Sequence, residues 1–166
     1  MKLFLVLVAA LLVIGCRPKE DRIREVVLEE IANAMERQIV APTKTIGPYS
    51  PAVQVGNFLF VSGQIGLDQQ TGQLKSETIE AETHQVLDNI STILRAAGYD
   101  AGDVVSATVY LKNMNDFQKM NDVYGKFFQE GNYPARSTVA VNELPKQANV
   151  EIAVIACKRL SVEFQH

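Results

Sequence analysis

Two residues stand out because their chemistry does not match their surroundings. Arg136 opens an apolar, strand-like stretch in "NYPARSTVAVNELP" (132–145), and Glu151 interrupts the equally apolar "VEIAVIAC" that follows. A planar guanidinium grips a carboxylate through two parallel hydrogen bonds. A carboxylate beside such a ligand can take a proton from water and return it. Folding the chain back around "NELPKQAN" makes the two stretches an antiparallel hairpin, and a register centred between Val141 and Lys146 sets Arg136 opposite Glu151. A slip of one residue would turn the two side chains to opposite faces. Two readings stay open from the hairpin alone: a partly buried ion pair that only holds the strands, or a clamp for an anionic ligand with an acid–base group beside it.

Other chemistries have little to build on. The two His lie near no Cys or carboxylate pair at metal-ligand spacing, so no metal site is expected. The formal net charge is −3, and no basic run or aromatic–basic interleaving offers a nucleic-acid groove.

The elements that must position Arg136 and Glu151 can be read from periodicity. "PAVQVGNFLFVSGQIGLD" holds two short apolar stretches separated by Gly56-Asn57, a hairpin signal. Gly63 interrupts the second stretch, as a bulge or a close approach by a backbone or ligand would require. From Glu77 to Ala97 the period becomes helical, with Val86, Ile90, Ile93, Leu94 and Ala97 on one face and Gly98 as the stop. His84 falls on this helix as a surface or packing residue. "VVSATVYL" alternates as a strand. "NDFQKMNDVYGKFFQE" is a second helix whose stripe of Phe117, Met120, Tyr124, Phe127 and Phe128 reads as core. Two closing strands complete the order β-β-α-β-α-β-β. This is an α+β domain with two helices on one face of a mixed sheet.

The N-terminus reads differently. "MKLFLVLVAALLVIGC" has one Lys and then an apolar run from Leu3 to Ile14, too short for a membrane-spanning helix but the length of an export signal core. The ending "VIGC" resembles the bacterial lipoprotein box, which makes Cys16 the expected lipidation site; an uncleaved anchor or a mis-assigned start is the alternative. Cys157 is then left as a buried free thiol. Ile23, Val27, Ile31, Ala34 and Met35 recur at helical spacing among charges of both signs, and the helix should end by Ala41, before Pro42. It would hold the domain off the membrane or pack on it, or serve as a partner helix or oligomerising coil. The expected division is a signal segment (1–16), a helix and linker (17–41), a folded domain (42–160) and a tail (161–166).

"IGPYSPAVQVGNFLFVSGQIGLD", "AETHQVLDNISTILRAAG", "LKNMNDFQKMNDVYGKFF" and "YPARSTVAVNELPKQANVEIAVIA", in order and correctly spaced, closely resemble the RidA family, also called YjgF or L-PSP. The resemblance covers residues 40–160. It implies a chorismate-mutase-like fold, a homotrimer with ligand clefts between subunits, no metal or organic cofactor, and hydrolysis of reactive 2-imino acids (2-iminopropanoate, 2-iminobutanoate) to 2-oxo acids and ammonia. Arg136 matches the family arginine that binds the substrate carboxylate, and Glu151 the glutamate that positions or activates water. Tyr49, Ser62, Gly63 and Asn121 match residues of the cleft. Thr138 stands where many members carry Cys, in a position where a backbone group is usually invoked, so thiol chemistry there cannot apply.

An export signal conflicts with the cytoplasmic origin of those imines. It implies a lipid-anchored protein on the periplasmic side of the outer membrane, since Arg17 is not the Asp that retains lipoproteins at the inner membrane; the protein is cytoplasmic if the segment is misread. Three functions are set against one another: an imine deaminase, which needs Arg136 and Glu151; a non-catalytic trimer binding small carboxylates, which needs only Arg136; and a ribonuclease or translation inhibitor, which the acidic balance and scarcity of His disfavour.

Overall fold

The computed structural model describes residues 19–158. The chain divides into two units, 1–36 and 37–166. Cys16 and the whole signal-like segment lie outside the described residues, as does the tail from 159 onward. In the first unit, helix α1 (Lys19–Ala34) carries Glu20 and Asp21 in its first turn, where the helix dipole favours negative charge. Its Ile23, Val27 and Ile31 are exposed. No helix among the described residues is long and apolar enough to cross a membrane.

The second unit is a six-stranded mixed sheet: β1 (Gln38–Val40), β2 (Ala52–Val55), β3 (Phe58–Ile65), β4 (Val104–Leu111), β5 (Ala135–Ala140) and β6 (Val150–Cys157). Helices α2 (Ile79–Ala96) and α3 (Phe117–Phe127) complete it. The spatial order is β1-β2-β3-β6-β4-β5. Every neighbouring pair is antiparallel except β4 and β5. Those two are joined through α3, and a parallel pair needs such a crossover.

The local signals work as expected in most places. Gly56 adopts φ +59° in the β2–β3 turn, which pairs Val55 with Phe58. Thr78 caps α2 by accepting from the Ala81 amide at 3.1 Å. Gly98, at φ +76°, ends α2 by donating to the Arg95 carbonyl at 3.0 Å. His84 is exposed. Cys157 is a free thiol, half-buried rather than buried, and accepts from Asn57 Nδ2 at 3.3 Å. The core lies between the helices and one sheet face, with Val86, Ile90, Ile93, Met120, Val109, Leu111 and Ile152 each fully buried.

Helix α1 ends at Ala34, within the expected limit at Ala41. Two expectations change. Gln38–Val40, read as part of the helix and linker, is an edge strand paired with β2, so the sheet begins before residue 42. The hairpin joining Arg136 to Glu151 does not form, because β6 inserts between β3 and β4 and leaves β5 on the far side of β4. Apolarity explains the exchange. β6 presents Val150, Ile152, Val154 and Ala156 to the core, all at most 2% exposed, and gains a paired neighbour on both edges. β5 is exposed along nearly its whole length and takes the edge.

Candidate active site

The sheet register places the two key residues on opposite faces. Arg136 pairs with Ala107 of β4, and Ala107 is a buried core residue on the helix side. Glu151 pairs with Tyr110 of the same strand. Three residues along a strand reverse the side-chain direction, so Glu151 points to the helix-free face. Strand spacing and rise separate their Cα atoms by about 14 Å. Each side chain sits in its own cleft, and no ion pair joins them among the described residues.

The Arg136 cleft, of about 380 Å³, lies between β5 and α3 and is lined by Asn121, Tyr124, Gly125, Tyr133, Pro134 and Arg136. The guanidinium carbon stands 4.5 Å from the centroid of the Tyr124 ring and 5.8 Å from that of Phe117. Both rings attract the cation and fix its plane. The stripe expected to be pure core is therefore also a platform for Arg136. A tyrosine at 124, where a phenylalanine would fill the core, was the available signal. Burial pushes the Tyr124 phenol up to about 12 despite the opposing Arg136 charge, so it remains a neutral hydroxyl at physiological pH. Asn121 Oδ1, Tyr124 Oη and Thr138 Oγ1 are all buried without a hydrogen-bond partner. Buried polar atoms are rarely left so, and three of them gather near one exposed cation. Thr138 follows Arg136 on the same face of β5, opposite Val109, and does not line the cleft.

The Glu151 cleft, of about 230 Å³, is lined by Ile46, Tyr49, Ser62, Gly63, Ile65, Pro145 and Glu151. Desolvation raises the Glu151 pKa above its ordinary value, which favours a carboxyl that exchanges protons nearer neutrality. Gly63 sits where the β3–β6 register shifts, and a Cβ there would collide with the Glu151 carboxylate. The expected bulge is therefore present, while the close approach at Gly63 is made by the Glu151 side chain rather than by a backbone or a ligand. The Ser62 hydroxyl donates to the Ser50 carbonyl at 2.7 Å, and its amide donates to the Pro51 carbonyl at 3.0 Å. Ser62 thereby anchors the segment that presents Tyr49, which is 44% exposed at the cleft. The structure brings Tyr49, Ser62, Gly63 and Glu151 together, and Asn121 with Arg136, but it keeps these two groups apart within one chain.

No cluster of three or more His, Cys, Asp or Glu able to hold a metal occurs among the described residues.

Comparison with known proteins defines the class. Residues 38–158 match the family model described as endoribonuclease L-PSP. A RutC family protein of Pyrococcus horikoshii is 54% identical over 115 residues, covering 69% of this chain and 90% of that protein. The 2-iminobutanoate/2-iminopropanoate deaminase of Mus musculus is 46% identical over 123 residues, covering 72% of this chain and 90% of that protein. Escherichia coli TdcF, solved with bound serine, superposes with a TM-score of 0.69 at 38% identity, covering 74% of this chain and 99% of that one. This chain belongs to the L-PSP family, which is the RidA/YjgF family.

Proposed function

We propose that the protein is a hydrolytic deaminase of small 2-imino acids, such as 2-iminopropanoate and 2-iminobutanoate. It acts as a homotrimer in which the Arg136 cleft of one copy faces the Glu151 cleft of the next. The carrying observation is the split of a complementary pair, a cation with unsatisfied polar neighbours on one sheet face and a desolvated carboxyl on the other. Neither half suffices alone for a ligand a few ångströms long, and apposition of two copies joins them. The helix-free face supports assembly as well. It carries Ile39, Phe58, Phe60 and Val139, each more than 40% exposed in the single chain, and such apolar sheet surface marks an association site. Relatives named as 2-iminobutanoate/2-iminopropanoate deaminases support the substrate class.

The chemistry follows from the two halves. Arg136 binds the carboxylate and orients the adjacent C=N carbon. Glu151 takes a proton from water as the water oxygen bonds to that carbon and the C=N π pair moves to nitrogen. Glu151 returns that proton to the nitrogen, giving a neutral carbinolamine. It then takes the hydroxyl proton as the C=O bond forms and passes it to the nitrogen. The C–N bond breaks with its electron pair going to nitrogen, and 2-oxo acid and ammonia leave. Hydroxyls and the Asn121 carbonyl supply hydrogen bonds, and no electron transfer is involved. A substrate that hydrolyses readily unaided needs only positioning and proton transfer.

The location is proposed from the sequence alone: export, lipidation at Cys16, and anchorage on the periplasmic side of the outer membrane. Radiolabelled palmitate should enter the wild type and not Cys16→Ala; equal labelling rejects the anchor. The activity is tested by generating 2-iminopropanoate in situ and following its loss. Wild type should accelerate the loss, and Arg136→Ala should reduce kcat/KM by about 100-fold. An intact trimer without activity rejects the deaminase and leaves a carboxylate-binding protein.

A further inference from the structure

A buried carboxyl group lies outside both clefts. Glu82 on α2 is fully buried, among Ile79, Thr83, Val86 and Leu87 on the inward face of that helix. It has no cationic partner among the described residues. Instead Oε1 accepts from the Asn149 backbone amide and Oε2 from Asn149 Nδ2, both at 2.8 Å. An apolar side chain would be the ordinary occupant of such a position, because burying an acid without a cation is costly. A carboxyl group is distinctive in offering two acceptor oxygens that can engage both donors of one asparagine at once.

What Glu82 holds is the approach to Glu151. The chain enters β6 through Pro145–Gln147, where Lys146 and Gln147 take φ values of +54° and +61°. Non-glycine residues adopt that region only when their surroundings enforce it. Three restraints do so. Ala148 is fully buried and packs in a small cluster with Ile65 and Leu67. The Asn149 carbonyl accepts from the Lys112 amide at 2.9 Å. Glu82 accepts from both the backbone amide and the side-chain Nδ2 of Asn149. Gly66 lets β3 come this close to α2, since a Cβ there would lie 3.1 Å from the Glu82 carbonyl and closer still to its side chain. Pro145 and Glu151, which flank this segment, both line the same cleft.

We infer that Glu82 is a positioning residue: through Asn149 it locks the strained turn that sets Pro145 and Glu151 in the cleft. The role rests on the deaminase reading of Glu151. Glu82→Gln keeps the shape but turns one acceptor into a donor facing a donor. In the full-length protein it should lower kcat for 2-iminopropanoate by about 10- to 100-fold, the effect of misplacing a catalytic group by a fraction of an ångström or more. KM, set at the Arg136 cleft, should change by less than about twofold. Amide hydrogen exchange at 149–151 should quicken. Asn149→Ala, which leaves Glu82 in place, should lower kcat in the same way, and the double variant should be no worse than the more damaged single one. Wild-type kcat in a destabilised Glu82→Gln overturns the inference and leaves a structural lock. If that variant does not fold, wild-type kcat in Asn149→Ala overturns it equally. A wild type without deaminase activity removes the function itself, and with it the positioning role.

Discussion

The two clefts solve opposite electrostatic problems on opposite faces of one sheet. At Arg136 a permanent cation is kept accessible, steadied by the faces of Tyr124 and Phe117, with hydrogen-bonding groups left unpaired around it. At Glu151 a titratable acid is pressed against a glycine bulge and partly withdrawn from water, so its proton affinity rises. Under the proposed function, the first cleft holds charge and the second moves a proton, and placing them on separate faces requires a second copy to complete the site.

Substitutions at the acid should show the largest difference between the clefts. Glu151→Gln should lower kcat by about 100-fold or more with little change in KM, opposite in kind to Arg136→Ala. The same substitution has a stability signature. A carboxyl whose pKa is raised on folding stabilises the folded state most below its unfolded value, about 4.5, and loses that contribution as pH rises through the folded value. Glu151→Gln should therefore raise Tm relative to wild type at pH 7 and not at pH 4, read by thermal melts at both. No gain at pH 7 would mean that the carboxylate is well solvated or paired in the assembly.

A smaller effect is expected from Gly63→Ala. The added methyl displaces the Glu151 carboxylate, so stability should fall by about 1–3 kcal/mol, as for overpacking elsewhere, and kcat should fall with it. Ligand binding at the Arg136 cleft should persist, measured calorimetrically with 2-oxobutanoate. Loss of binding would show that the clefts are not separable.

The mildest test lies at Tyr124. Tyr124→Phe keeps the ring under Arg136 and removes a buried, unpartnered hydroxyl. Stability should hold or rise by about 1 kcal/mol, while carboxylate affinity should fall several-fold. Unchanged affinity would assign the hydroxyl no part in ligand binding.

Much of this was legible in the chain. Gly56-Asn57 and Gly98 act within a few residues of themselves, so the turn and the helix end they mark could be read directly. Arg136 and Glu151 were conspicuous as charged groups in apolar stretches. Tyr124 and Glu82 were not. Their periodicity places them on buried helix faces, and the polar atom that gives each a purpose meets its neighbours only through packing.

By itself, then, the sequence determined the element types, most of their limits and the residues able to do chemistry, because propensity, periodicity and side-chain chemistry are local. Only the tertiary structure decided which strands are neighbours. Adjacent strands in the chain favour a hairpin, but the more apolar β6 gains more from a central position, with both edges paired and one face on the helices, than from lying beside β5. That single preference moves Arg136 and Glu151 to opposite faces, and so turns an expected facing pair into residues of two separate clefts.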